Sequence, residues 1–175
     1  MSNRLINIIF CATLFGFFNL TGIVADEEEE ERARHKAMQQ RERKFIAFRT
    51  TAEAYKNLAT LYQKQKKTDK AIVHLKKIIE LFENYKGEKP PEVSKQIGHV
   101  YLEIGKMLIH SKQLSEAEKN LKTGFEKTRK VSPEIASRML FMLGNIYQKQ
   151  KKLQDAEKTF QKVIELNAEI LTGKK

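Results

Sequence analysis

The residues best suited to chemistry are few in this sequence and stand far apart. The chain contains four histidines, at positions 35, 74, 99 and 110, and one cysteine, Cys11. His99 and His110 share a predicted helix face, but the rise of the helix separates them by roughly 16 Å, too far for one metal ion. No HExxH motif, glycine-rich phosphate loop or serine-nucleophile motif is present. The sequence therefore predicts no enzyme, no cofactor and no metal site.

The cysteine lies in an apolar N-terminal segment. Arg4 is followed by "LINIIFCATLFGFF", "NLTGIVA" and the acidic run Asp26–Glu31. This pattern is typical of a secretory signal peptide, so we expect cleavage of residues 1–25 and export, with the bacterial periplasm as the favoured compartment. The alternative is an uncleaved anchor with the folded domain outside the cytoplasm, because residues 5–25 could span a bilayer of about 30 Å. Membrane contact is expected only through that anchor.

The charge of the chain indicates the chemistry of its partners. The net charge is +11, although the acidic run Asp26–Glu31 opposes it. The remaining chain is therefore strongly basic, which favours acidic partners. The alternative is that the lysines only keep the exposed helix faces soluble and bind no partner. Because nucleic acid is not an expected partner of an exported protein, we predict that the chain does not bind nucleic acid. Residues 26–49 lack glycine and proline and begin with acids, which predicts a charged helical lead-in.

One hexapeptide occurs twice and indicates the architecture. "YQKQKK" is found at Tyr62–Lys67 and at Tyr147–Lys152, and similar sequences follow both copies. Such self-similarity predicts a repeated helical unit. Apolar residues at helical spacing define three helix pairs within residues 50–173, at about 50–87, 91–130 and 132–171. Each copy of the hexapeptide is then the turn between two helices, and twin basic binding loops are the alternative.

Local signals predict where the helices begin and end. Thr50 and Glu53 match a capping box, and Pro133 suits a first helical position. The other predicted caps and stops are Thr68, Ser115 and Ser132 as N-caps, and Gly87 and Gly173 as C-terminal ends.

Each helix pair carries a small residue, an aromatic residue and an alanine at shared spacing, except that Leu108 replaces the aromatic residue in the second pair. These triplets are Ala59–Tyr62–Ala71, Gly105–Leu108–Ala117 and Gly144–Tyr147–Ala156. The pattern resembles the tetratricopeptide repeat, and its period, longer than roughly 34 residues, is similar to that of kinesin light chains. Small residues allow the helices of a pair to approach closely. The resemblance implies an all-α fold, an α-α superhelix of three helical-hairpin repeats that follows the charged lead-in helix.

The resemblance also implies that the first helices line a concave groove that binds partner peptides. The groove candidates are Lys56, Gln63, His99, Leu102, Lys106, Ile109, Arg138, Phe141, Asn145 and Lys149. Cations around a few apolar residues would suit an acidic, partly apolar protein segment. Alternatively, the apolar candidates cover a neighbouring helix of the same chain. Thr60, Glu103 and Met142 depart from the family's carboxylate-clamp pattern, so we predict no such clamp.

These observations favour an exported, non-catalytic adaptor that binds a protein or peptide. One alternative is a structural or self-assembling envelope component held by an uncleaved N-terminal helix. Another is a basic surface that binds anionic lipid or polymer. A homo-oligomer is compatible with the sequence.

Overall fold

Every regular element that the structure describes is an α-helix. The computed structural model describes residues 3–86 and 91–173, with side chains at positions 28–86, 93 and 95–173. The helices are α1 (Asn3–Lys64), α2 (Thr68–Asn84), α3 (Pro91–His110), α4 (Leu114–Thr128), α5 (Pro133–Lys149) and α6 (Leu153–Thr172). The scarcity of glycine and proline in these segments explains their helicity. The prediction of an all-α fold is confirmed.

The chain divides into two units after residue 47. The described side chains of the first unit, from residue 28 onward, belong to α1 and are nearly all exposed. They form ion pairs one helical turn apart, which is how a solvated helix is stabilised: Glu28 with Arg32 at 3.1 Å and Glu30 with Arg34 at 2.7 Å.

The N-terminal segment carries predictions that the structure does not test. Signal-peptide cleavage after Ala25 and the alternative anchor both fall on side chains outside the described residues. Among the side chains that are described, no helix has both the length and the apolarity needed to cross a bilayer.

The second unit consists of successive helix pairs that share one core. The last part of α1 packs on α2 through His74, whose ring stacks 5.2 Å from that of Tyr62 and lies 6.0 Å from that of Tyr55. Next, α3 packs on α4, and α5 packs on α6. Contacts of α2 with α3 and of α4 with α5 join the pairs, and α3 also contacts α5 directly. This stacking of neighbouring pairs is the arrangement of a helical solenoid.

Small residues occupy the closest contacts within the pairs. Ala71 and Ala117 are fully buried, and Ala156 is 5% exposed. A Cβ atom on Gly105 would lie 2.6 Å from Cδ2 of Leu121, and one on Gly144 would lie 2.6 Å from Cε1 of Phe160. The space that a larger side chain would need is therefore already filled by the partner helix.

The remaining residues of the three triplets also face the interior. Ala59, Leu108 and Tyr147 are buried, and Tyr62 is half-buried against the core. Each triplet therefore contributes to the contact between the two helices of its pair.

Two glycines that the sequence analysis did not single out also lie at close contacts. A Cβ atom on Gly124 would lie 2.6 Å from Cβ of Tyr101, and one on Gly98 would lie 2.9 Å from Cγ2 of Ile135. Gly124 thus brings α4 against α3, and Gly98 brings α3 against α5. Helices therefore approach each other closely between pairs as well as within them.

The three turns within the pairs have one geometry. Lys66, Lys112 and Lys151 occupy the left-handed region, with φ of 60°, 61° and 61°. In the first turn, the N–H of Lys67 donates to the carbonyl of Tyr62 and the N–H of Lys66 donates to that of Gln63, both at 2.9 Å. The other turns repeat these bonds. This is the Schellman motif, which closes a helix C-terminus, and it accounts for the repeated hexapeptide.

The turn geometry also corrects the predicted helix starts. The N-cap residues of α2 and α4 are Lys67 and Gln113, not Thr68 and Ser115, because the Schellman closure starts α2 one residue earlier and α4 two residues earlier than predicted. Ser132 is the N-cap of α5, but its hydroxyl donates to Glu134 at 3.1 Å and makes no cap bond.

The predicted helix start at residue 50 and the predicted helix ends at residues 87 and 173 have different outcomes. Thr50 lies inside α1, so the capping box was wrong: the helix-forming lead-in does not end before it. Gly173 ends α6 with a φ of 63°, as predicted. The predicted stop at Gly87 lies outside the described residues.

Candidate peptide-binding groove

The second unit has a run of open cavities along its first helices. The cavity between α1 and α3 has a volume of about 390 Å³ and contains two predicted residues, Lys56 and His99. Arg49, Glu53 and Glu103 also line it. Arg49 was missed because it was assigned to the lead-in, although its spacing to Glu53 and Lys56 places all three on one helix face.

Lys106 lies at the centre of the groove and lines three of the cavities. It shares one of about 770 Å³ with Gln63, at the end of α1. It shares a second, of about 500 Å³, with Ile109 and Lys149. The third has a volume of about 310 Å³ and includes Arg138 and Phe141. The cavities thus connect the predicted residues of all three first helices.

Two predicted groove residues lie elsewhere. Leu102 is 2% exposed and belongs to the core, so its assignment to the groove was wrong. Because α3 contacts α2, α4 and α5, it buries a wider face than the spacing of its core residues indicated. Asn145 is half-buried and lines none of the four cavities. For Leu102, the alternative that an apolar candidate covers a neighbouring helix is correct.

The groove surface is basic. Arg49, Lys56, Lys106, Arg138 and Lys149 are exposed, and the ion pairs found among the described side chains involve other residues. The two acids of this surface, Glu53 and Glu103, line the cavity between α1 and α3, and Glu103 also lines the cavity that Lys106 shares with Gln63; the two cavities beside α5 contain no acid. The excess of positive charge is therefore greatest beside α5.

An exposed aromatic ring marks the α5 side of the groove. Phe141 is 53% exposed, and its ring lies 5.8 Å from that of Phe160, tilted by 56°. Met142 lines the same cavity as Phe141, and Ile109 lines another cavity with Met142; both Met142 and Ile109 are half-buried and pack against the core. Sequence reasoning identified Met142 only as a departure from the clamp pattern, although it contributes to two cavities.

The arrangement is suited to binding. Among the described residues, no group of three or more histidine, cysteine, aspartate or glutamate side chains could hold a metal ion. The groove offers amine and guanidinium donors next to apolar surface, which together can hold carboxylate and apolar side chains of a peptide.

Comparisons with known proteins agree with the repeat fold. The model of the family described as "Tetratricopeptide repeat" matches residues 52–85 and 137–169. A search of curated proteins found no match. One similar solved structure is the N-terminal domain of stress-induced protein-1 from C. elegans, with a TM-score of 0.57 and 24% identity over 69% of this chain and 87% of that one.

A second similar structure is BtubC (BKLC) from P. vanneervenii, with a TM-score of 0.57 and 19% identity. The match covers 68% of this chain and 47% of that protein, so this chain corresponds to about half of BtubC. At such identities the likeness concerns the fold alone. The repeat triplets, the solenoid packing and the two family matches lead to one conclusion: this chain contains tetratricopeptide repeats within a helical solenoid.

Proposed function

We propose that this protein is a non-catalytic adaptor that binds an acidic, partly apolar protein segment in the groove between α1, α3 and α5. Tetratricopeptide repeats indicate a protein-interaction scaffold, and proteins that contain them are generally non-catalytic adaptors. The observation that carries the proposal is the exposed ring of Phe141 beside Arg138 and Lys106, cations with no ion-pair partner among the described residues.

The chemistry of this site defines the partner. Carboxylates of the partner would replace water around Lys106 and Arg138, and an apolar side chain would cover Phe141. Positive charge along the groove would also steer an acidic segment during encounter. An extended or a helical segment satisfies these contacts, since both can present acidic and apolar residues at regular spacing.

Export is part of the proposal and is supported by the sequence alone. The apolar N-terminal segment followed by the acidic run Asp26–Glu31 has the form of a signal peptide. The proposed compartment is the bacterial periplasm. If the segment is retained, the adaptor is anchored with its repeats outside the cytoplasm.

Charge reversal tests the groove. Peptides are first selected from a random library on the wild-type protein, and their affinities are then measured for two double variants. Lys106→Glu with Arg138→Glu should weaken binding by about tenfold or more, because it replaces attraction by repulsion. The matched control, Lys76→Glu with Lys162→Glu, changes exposed lysines that line none of the four cavities and should bind nearly as well as wild type. Equal losses in both variants would refute the groove.

A structural, self-assembling component is the second candidate, and the surface of α6 favours it. Leu153, Ile164 and Leu171 are between 67% and 86% exposed on this helix. A terminal repeat without a polar outer face tends to associate. Sedimentation of the protein at increasing concentration tests this function: a monomer at every concentration would exclude it.

A further inference from the structure

The three turns within the helix pairs combine one conformation with one composition. They are Gln65–Lys67, Ser111–Gln113 and Gln150–Lys152, and they contain only lysine, glutamine and serine. The residue in the left-handed conformation is a lysine each time. Glycine and asparagine fit this position best, and other residues carry a conformational cost there. Turn geometry alone therefore does not explain why lysine occupies this position in all three turns. A functional role for the lysine side chain would explain it.

These turns lie side by side along one edge of the repeats. Lys66 of the first turn lines the same cavity as His110, at the end of α3. His110 in turn lines another cavity with Lys112 of the second turn and Lys149, at the end of α5. The turns therefore form a continuous surface, which we name the lysine edge after Lys66, Lys67, Lys112, Lys149, Lys151 and Lys152.

The lysine edge is positively charged and exposed. Its lysines are all exposed, its three turns contain no acid, and the ion pairs among the described residues lie elsewhere. Two of its side chains make weaker contacts: Lys67 donates to Gln65 at 2.9 Å, and Lys152 lies 5.8 Å from the centre of the Tyr147 ring. Directly after Lys152, the side chain of Leu153 is 67% exposed.

We propose that the lysine edge is a docking surface for a membrane leaflet rich in anionic phospholipid. Its cations are all lysines, which act as hydrated point charges, whereas the groove also uses arginine, which suits planar carboxylate partners. Clusters of lysine bind anionic leaflets through their summed charge, without a defined pairing geometry. Leu153 supplies an apolar side chain that can enter the boundary between headgroups and acyl chains. This membrane contact is separate from the anchor predicted at residues 5–25.

Vesicle binding tests the proposal with matched variants of the full chain. The edge variant is Lys66→Asn, Lys112→Asn and Lys151→Asn, since asparagine tolerates the left-handed conformation. The control, Lys76→Gln, Lys130→Gln and Lys162→Gln, removes the same charge from other exposed positions. Binding is measured to phosphatidylcholine vesicles with and without phosphatidylglycerol. The ratio of the two affinities removes any contribution of residues 5–25.

In the edge variant, the ratio of the affinity for anionic vesicles to the affinity for phosphatidylcholine vesicles should fall by at least about tenfold. The reason is that each lysine near an anionic leaflet increases the affinity severalfold. The control should change by less than about twofold, and the wild-type ratio should fall steeply with added salt. A second edge variant, Lys67→Gln with Lys152→Gln, changes only residues that have no positive φ and that line none of the four groove cavities. It should reproduce the loss whether or not the asparagine variant folds fully.

Three outcomes would overturn the proposal. The wild-type protein could bind both vesicles equally, the edge and control variants could lose the same amount, or the binding could be insensitive to salt. Binding of a polyglutamate peptide or an oligonucleotide through these lysines, without preference for anionic vesicles, would assign the edge to another polyanion. None of the edge variants changes Lys106, Arg138 or Phe141, so failure here leaves the groove proposal intact.

Discussion

At the scale of single residues, Gly124 and Gly144 have equally close neighbours of unequal rigidity. A Cβ on Gly124 would meet Cβ of Tyr101, which is fixed to the backbone of α3, whereas one on Gly144 would meet the ring of Phe160, which is half-buried and can rotate. Overpacking costs about 1–3 kcal/mol, and alanine regains about 1 kcal/mol of helix propensity. Gly124→Ala should therefore lower the free energy of unfolding, while Gly144→Ala should leave it nearly unchanged. Urea denaturation of both variants compares them, and a larger loss in Gly144→Ala would contradict this reasoning.

The substitution Phe141→Ala distinguishes a role of this residue in binding from a role in stability. Its side chain is 53% exposed, so Phe141→Ala should change the free energy of unfolding by less than about 1 kcal/mol. The affinity of the Phe141→Ala variant for a groove peptide should fall by at least about fivefold, because exposed aromatic residues are common anchors in interfaces. Val73, which is 54% exposed on α2, provides the control variant Val73→Ala, which should bind normally. Calorimetry of peptide binding and of unfolding measures both effects.

Glu118 makes stability depend on pH. Its carboxylate accepts hydrogen bonds from Lys122 at 2.7 Å and from Tyr147 at 3.2 Å. The bond from Lys122, more than any other contact, lowers the pKa of Glu118 below its ordinary value of 4.5. The resulting stabilisation is present above pH 4.5 and is lost as the pH falls through the lower pKa of the folded state.

The variant Glu118→Gln tests this dependence. Wild type should be more stable than the variant at neutral pH, and the difference should shrink below pH 4.5, because the native carboxylate then becomes protonated. Thermal unfolding across this pH range provides the measurement. A stability difference that is constant down to the lowest pH would show that the ion pair and hydrogen bond make no contribution.

At the scale of the elements, the left-handed lysines limit the stability of the turns. Lys66→Gly should raise the free energy of unfolding by about 1 kcal/mol, because glycine adopts positive φ without a steric penalty. Lys67, the next residue, has a φ of −93°, which any residue can adopt. Lys67→Gly therefore only increases the conformational entropy of the unfolded chain and should lower the free energy of unfolding by about 0.5 kcal/mol. Equal effects of the two substitutions in chemical denaturation would argue against the left-handed turn.

The sequence predicted the helices better than their starts. Helical spacing of apolar residues located the helix pairs, since that spacing directly records which face is buried. The caps at Thr68 and Ser115 were wrong because local side-chain preference competes with the turn that precedes it. Once the N–H of Lys67 bonds to the carbonyl of Tyr62, the carbonyl of Lys67 is placed to accept from Ala71 at 3.1 Å. That register leaves no cap position for Thr68.

At the scale of the whole molecule, the repeat explains which parts of the groove were predictable. Lys106, Arg138 and Phe141 were identified because equivalent positions of successive first helices face the same side. Leu102 was misplaced because a central helix has neighbours on both sides, which a single-helix pattern does not include. Arg49 was missed because composition placed the boundary of the lead-in after it, whereas α1 continues past this position without interruption.

The most direct test of the groove is to map a bound peptide on the protein by NMR. A library-selected acidic peptide is titrated into the isotope-labelled protein, and the shifts of backbone amides are followed. We expect the largest changes along the exposed faces of α3 and α5, around Lys106, Arg138 and Phe141, and their loss in the Lys106→Glu, Arg138→Glu variant. Changes confined to α2, α4 or the outer face of α6 would contradict a groove-binding adaptor and place its binding surface elsewhere.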